Sequence, residues 1–135
     1  MNHSAAAILC ICLSLCISSC KKEEQEKELF PVVLNDSSIV FSNATSDTAF
    51  LEFALIRIAE ARIFNGRLND GFYLDTGTLP VALPPNEMVE LEKNRFVYKT
   101  DTLRTQDQPK NIAYNFRYLA DGDSVRRVKT FSKDF

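Results

Sequence analysis

Apolar residues alternate with polar ones along much of the chain, in short runs separated by turn residues. The clearest alternation places four large side chains on one face of a predicted strand: Ile112, Tyr114, Phe116 and Tyr118. The turn pair Asp121-Gly122 follows and leads into a second segment from Val125 to Phe131. A turn of this type between two strand-like segments predicts a β-hairpin.

Earlier parts of the chain repeat this arrangement less regularly. Polar residues at 43–47 predict a loop, and Asn65-Gly66 and Asn69-Asp70-Gly71 predict turns. The β-prone runs between them are 29–34, 38–42, 72–74, 79–83, 88–91 and 96–98. Short strands with turns every 8 to 12 residues or so predict an all-β fold, an antiparallel β-sandwich.

The segment from Thr48 to Phe64 allows two interpretations. As a helix over 48–63, it has an N-cap at Ser46 or Asp47 and Gly66 just beyond its end, which would make the fold α+β. As a strand, it carries apolar residues on both faces, as a doubly buried strand does. We favour a strand over 50–58 because the runs on both sides are strand-like.

The first twenty residues differ from the rest of the chain in composition. They contain all four cysteines (Cys10, Cys12, Cys16 and Cys20) and the single histidine, whereas every Lys, Arg, Asp and Glu follows Cys20. The uncharged apolar run of 13 residues from Ala5 to Ile17 fits the hydrophobic part of a signal peptide and is shorter than the ~20 residues that span a bilayer. We therefore expect a signal peptide at 1–19, a charged tether at 20–28 and one domain at 29–135.

The tetrapeptide Ile17-Ser18-Ser19-Cys20 resembles the lipobox of bacterial lipoproteins. This resemblance implies cleavage before Cys20 and lipid on its thiol and amine, which would hold the protein to a membrane. The alternatives are a secretory signal without lipid, a short uncleaved anchor, or a cysteine-rich structural segment. The next four residues resemble a lysine-plus-acidic signal for export to the outer face of the outer membrane: Lys21, Lys22, Glu23 and Glu24. They would equally serve as a solvated tether.

The predicted domain is similar to the small immunoglobulin-like sandwiches of bacterial envelope lipoproteins. The similarity lies in the 42–47 turn between two strands, the 83–87 lead into a strand and the Asp121-Gly122 hairpin. It implies an antiparallel sandwich and carries no catalytic residues. The disulfide and buried tryptophan of antibody domains are absent, since the chain has no Trp and no cysteine after Cys20.

Composition and charge exclude several classes of function. The chain is 45% hydrophobic and 25% charged with a net charge of −2, which is ordinary for a globular domain and gives no electrostatic reason to expect nucleic acid as a partner. If cleavage occurs before Cys20, the mature chain has no histidine and no free thiol. Cys/His zinc sites and Ser-His-Asp or Cys-His catalysis are then excluded, and we expect no cofactor, no metal and no enzymatic activity.

A basic patch near the end of the chain is the remaining candidate site. Arg126, Arg127 and Lys129 could bind an anionic glycan or lipid head group, or could protect an edge strand from aggregation. We expect a membrane-anchored, non-enzymatic binding or adhesion module for a protein or glycan partner, located in the cell envelope at the outer membrane. The alternative is a periplasm-facing scaffold or accessory subunit of an envelope complex.

Overall fold

The structure, a computed structural model, describes residues 27–135. The described chain forms ten strands and a 3₁₀ turn at Lys93–Arg95. In chain order the strands are β1 (Val32–Leu34), β2 (Ser38–Ser42), β3 (Ala49–Phe64), β4 (Arg67–Leu74), β5 (Val81–Leu83), β6 (Met88–Glu92), β7 (Phe96–Tyr98), β8 (Asp101–Thr102), β9 (Pro109–Tyr118) and β10 (Arg127–Asp134).

The strands form two antiparallel sheets that pack against each other. The three-stranded sheet has the order β1-β2-β6, and the larger sheet has the order β10-β9-β3-β4-β7-β8, with β5 also paired to β3. Every strand pairing in both sheets is antiparallel. The predicted all-β sandwich is confirmed.

The core lies between the two sheets and is rich in aromatic side chains. Phe30 stacks on Phe116 at 4.0 Å between ring centroids, and Phe41 of β2 meets Tyr114 of β9 edge to face at 5.6 Å. The alternating residues Ile112, Tyr114, Phe116 and Tyr118 are all buried, as the sequence predicts. Large aromatic and β-branched side chains suit this half-buried, pleated surface, which explains why these segments form strands.

β3 resolves the ambiguous segment. Residues 49–64 form one strand of 16 residues, so the strand interpretation is confirmed and the helix over 48–63 is wrong. The Asn65-Gly66 turn is confirmed, with both residues at positive φ, as the two-residue hairpin between β3 and β4 requires.

The turn predicted at Asn69-Asp70-Gly71 is wrong, because these residues lie inside β4. The pairing of β3 with β4 jumps from Arg57–Gly71 to Arg62–Asn69, so residues 58–61 bulge opposite Asp70. The Asn69 side chain accepts a hydrogen bond from the Gly71 amide and donates one to Asp101. A turn-type sequence and its side-chain hydrogen bond therefore occur within a strand, because a bulge in the neighbouring strand β3 accommodates them.

Asn43 joins the two sheets at the end where the described chain begins. Its buried side-chain amide donates to the carbonyls of Leu83 and Asp47, both at 2.9 Å, and accepts from the amide and hydroxyl of Thr45. Its backbone amide donates to Glu87. One side chain thus fixes the loop after β2 against the end of β5.

Candidate interaction surface on the seven-stranded sheet

The described chain enters at one end of the sandwich. Lys27 lies beside the 44–46 loop and the 119–121 segment, and the Leu29 carbonyl accepts a hydrogen bond from the Ala44 amide. β3 begins at this end and runs for 16 residues, roughly 50 Å, to the Asn65-Gly66 turn. This turn, here called the distal tip (63–68), therefore lies at the opposite end from Lys27.

The outer side of the seven-stranded sheet is the surface that faces away from the core. Along β3, Ala54 and Ile56 belong to the core, so Phe53 and Leu55, which flank Ala54, point outward. We call this outward surface the open face. Among residues 27–135, no second layer of strands or helices covers it.

One row of cross-strand partners runs through the middle of the open face. It crosses six strands in the order Ser132, Ala113, Leu55, Tyr73, Val97 and Thr102. The four central members are apolar or aromatic, and Tyr73 is 45% exposed. Phe53 extends this row, since its ring lies 5.9 Å from that of Tyr73.

The distal tip adds two aliphatic side chains to the same face. Ile63 and Leu68 are directly opposed across the hairpin, and they are 76% and 77% exposed. Phe64, which points the other way, packs edge to face on Tyr98 at 6.4 Å. The tip is therefore anchored through one side and presents aliphatic surface on the other.

Two ion pairs lie on the open face. Arg57 contacts Asp70 at 3.4 Å on one side of the central row. On the other side, Arg117 donates to Glu52 at 2.7 Å. The guanidinium of Arg117 also lies 4.3 Å from the centre of the Phe50 ring. The face thus combines apolar area, aromatic rings and arginine, a composition typical of the cores of protein interfaces.

Arg62 fixes the base of the distal tip. It donates through Nε and Nη2 to both carboxylate oxygens of Asp101 at 3.0 Å, and through Nη1 to Asp107 at 2.8 and 2.6 Å. Its Nη2 also donates to the Thr102 carbonyl. Its guanidinium lies 4.7 Å from the centre of the Phe72 ring. Because every nitrogen of the guanidinium is engaged, this group, here called the Arg62 clamp, holds the loop before β9 against β3.

The Arg62 clamp shifts the pKa values of both Asp101 and Arg62. Burial alone would raise the pKa of Asp101, but hydrogen bonds from Arg62 and Asn69 outweigh burial and leave that pKa below its usual value. The hydrogen bond to Asp101 raises the pKa of Arg62, although burial opposes it. Lys93 reinforces the loop, since its buried ammonium donates to the carbonyls of Thr105 and Asp107.

The three basic residues singled out from the sequence each contact a different partner. Arg126 precedes β10, donates to the Thr48 carbonyl and pairs with Asp47 at 3.3 Å. Arg127 lies 3.9 Å from Asp123, and the Lys129 ammonium sits over the Phe131 ring at 5.7 Å. Arg126 thus contacts the loop before β3, whereas Arg127 and Lys129 lie on the edge strand β10. Their role as an anionic-ligand site stays a prediction.

The predicted lipidation site Cys20 and the export-signal residues Lys21, Lys22, Glu23 and Glu24 lie outside the described residues. Within residues 27–135, no helix is long and apolar enough to cross a membrane. The same residues contain no group of three or more His, Cys, Asp or Glu side chains that could hold a metal ion.

The open face was not recognised from the sequence, although a signal for it was present. The apolar residues on both faces of the 50–58 segment suggested a doubly buried strand.

Comparisons with protein-family models, curated proteins and solved structures found no match to this chain. We therefore infer the function from the open face.

Proposed function

We propose that this protein is a lipid-anchored envelope lipoprotein whose immunoglobulin-like sandwich acts as a non-enzymatic binding module. The open face of the seven-stranded sheet is the binding surface. One observation carries the proposal: an apolar row crosses this face, and nothing in residues 27–135 covers it. Uncovered apolar patches on folded proteins commonly mark interaction sites.

A protein partner fits this face better than a glycan. The apolar members Leu55, Val97 and Ala113 offer no hydrogen-bonding side-chain group to sugar hydroxyls. The Phe53 and Tyr73 rings are inclined at 58° to each other and so do not form a flat stacking platform. Aliphatic and aromatic side chains in one row match the apolar core of a protein interface.

A crosslinking capture experiment tests the binding surface. The full chain carrying Tyr73→Lys is compared with the parent and with Met88→Lys, which places the same charge at a 68% exposed position on the other sheet. After mild crosslinking in cells, we expect a defined crosslinked species with the parent and with Met88→Lys, and its loss with Tyr73→Lys. An identical species in all three samples would contradict the proposal.

The membrane anchor is supported by the lipobox-like Ile17-Ser18-Ser19-Cys20 and is tested separately. Cys20→Ala should move the protein from the membrane fraction to soluble fractions, because the lipid acceptor is lost. Unchanged fractionation would contradict lipid anchoring. The neighbouring substitution Ser19→Ala keeps a small residue before the cysteine and serves as the control.

The side of the membrane that the domain faces distinguishes adhesion from the alternative, a periplasmic scaffold. Residues 121–126 between β9 and β10 form an exposed segment that ends in Arg126, which offers trypsin a cleavage site. Cleavage on intact cells would support surface exposure and the reading of Lys21 to Glu24 as an export signal. Cleavage only after lysis would favour the scaffold.

A further inference from the structure

We infer that the partner on the open face is a second copy of this chain, in a dimer with two-fold symmetry. This inference rests on the proposed function, since it takes the open face to be the binding surface. In such an isologous dimer the same patch on both copies must complement itself. The chemistry of the face, its size and its direction relative to Lys27 support this arrangement.

The charges of the open face favour self-association. The ion pair Arg57–Asp70 lies on one side of the central row and Arg117–Glu52 on the other. Each pair neutralises itself within one molecule, so neither pair brings an unpaired charge against its own image. Asp134 lies at the edge of the face, where it accepts a hydrogen bond from Asn111. A partner selected by charge would instead need uncompensated charge on this face.

The size of the face matches what a stable dimer needs. The six neighbouring strands contain 47 residues in all. At a rise of ~3.3 Å per residue and a strand spacing of ~4.8 Å, they cover roughly 740 Å² per molecule. Standard protein interfaces bury about 800 Å² per partner.

The direction of the chain is compatible with two anchored copies. A two-fold axis between the sheets and parallel to the strands places the Lys27 ends of both molecules on the same side. Both tethers could then reach one membrane, while both distal tips point away from it. The aliphatic pair of each tip, Ile63 and Leu68, would extend the interface at the far end.

Thiol crosslinking of the full chain in cells tests the dimer. Leu55→Cys places one thiol on one of the two central strands of the six, beside a two-fold axis through the middle of the open face, and Met88→Cys places one on the outer side of the three-stranded sheet. A bismaleimide that spans roughly 10 Å, the spacing of packed sheets, should crosslink Leu55→Cys alone into a band of twice the chain mass, because positions beside the axis lie close to their own image. The parent chain and Met88→Cys should give no such band.

A second substitution separates specific pairing from chance collision. Adding Tyr73→Lys to Leu55→Cys should reduce the crosslinked dimer at least tenfold, whereas adding Met88→Lys should leave it unchanged. An equal yield in both double variants would overturn the proposed dimer. A Leu55→Cys crosslink to a different protein would also overturn it, while supporting the open face as a binding surface.

Failure of the dimer and failure of the binding module remain distinguishable. If Leu55→Cys forms no crosslink with itself, the proposed two-fold dimer is overturned. The capture experiment with Tyr73→Lys then decides whether the open face binds another protein.

Discussion

Replacing Arg62 by methionine tests whether the clamp holds the distal end of the domain. Methionine keeps an unbranched side chain but removes every hydrogen bond that the guanidinium makes to Asp101, Asp107 and the Thr102 carbonyl. The Asp101 carboxylate, only 7% exposed, would keep Asn69 as its remaining side-chain donor. The substitution therefore leaves a buried charge without its counter-ion.

The structure sets the expected magnitude. Breaking a buried ion pair by removing one partner costs about 3–5 kcal/mol. Because 18% of the Arg62 side chain is exposed, water can reach the site, and we expect the lower end of that range, about 3 kcal/mol. At about 4–8 °C per kcal/mol for a domain of this size, Tm should fall by about 12–24 °C.

Urea and thermal unfolding followed by circular dichroism measure the effect. Arg57→Met is the matched control, because the Arg57–Asp70 pair is exposed and should contribute no more than about 1 kcal/mol. The double variant Arg62→Met/Asp101→Asn should lose less than the sum of its single variants, since it removes the carboxylate that would be left unpaired. Equal losses for Arg62→Met and Arg57→Met, or full additivity, would refute the reasoning.

The clamp also predicts a pH dependence. Because the folded pKa of Asp101 is lowered, its contribution to stability is present above the unfolded pKa near 3.8 and is lost as the pH falls through the folded value. The urea midpoint of the parent should therefore decrease as the pH is lowered below about 4. Arg62→Met should weaken this decrease, and an unchanged decrease would contradict the assignment to Asp101.

Three further predictions concern the fold. Asn43→Ala should reduce the free energy of unfolding, measured in urea, by about 1–3 kcal/mol. Asn43→Asp should reduce it by more at neutral pH, because a carboxylate would face the carbonyls to which the amide donates. Equal losses for the two variants would contradict this prediction. Burial raises the pKa of Tyr114 to about 12, with Glu28 acting in the same direction, so its contribution to stability should be lost as the pH rises from about 10 towards 12. Tyrosinate absorbance should show one late-titrating group that Tyr114→Phe removes. Gly66→Ala should reduce the free energy of unfolding by about 1 kcal/mol through its positive φ alone, since an added Cβ meets nothing within 4 Å. Gly77→Ala, at an ordinary φ, is the control.

Much of the sandwich could be predicted from local patterns. The alternation from Ile112 to Tyr118 specifies one buried face, and the Asn65-Gly66 pair supplies the positive φ values of a two-residue turn. These features depend on neighbouring residues only, so the sequence alone identifies them. The Arg62 clamp could not be found this way, because Asp101 and Asp107 lie 39 and 45 residues away along the chain.

The wrong turn prediction and the rejected helix alternative have the same physical origin. Asn69-Asp70-Gly71 has the composition of a turn, but a bulge in β3 and the hydrogen bond from Asn69 to Asp101 keep it within a strand. The 48–63 segment has the composition of a helix, but the pairing of β3 with β4, β5 and β9 gives it strand hydrogen bonds on both sides. Long-range pairing overrides local preference in both cases.

The sequence by itself determined the strand-forming segments, the tight turn and the chemistry that is missing after Cys20, because composition and alternation are properties of the chain. Tertiary structure alone decided which apolar residues are covered. Between Leu51 and Phe53 the pairing of β3 with β9 shifts by one residue, so Phe53 and Leu55 point outward while Ala54 and Ile56 enter the core. Because one such shift exchanges the two faces of a strand, only the folded sheet shows the open face.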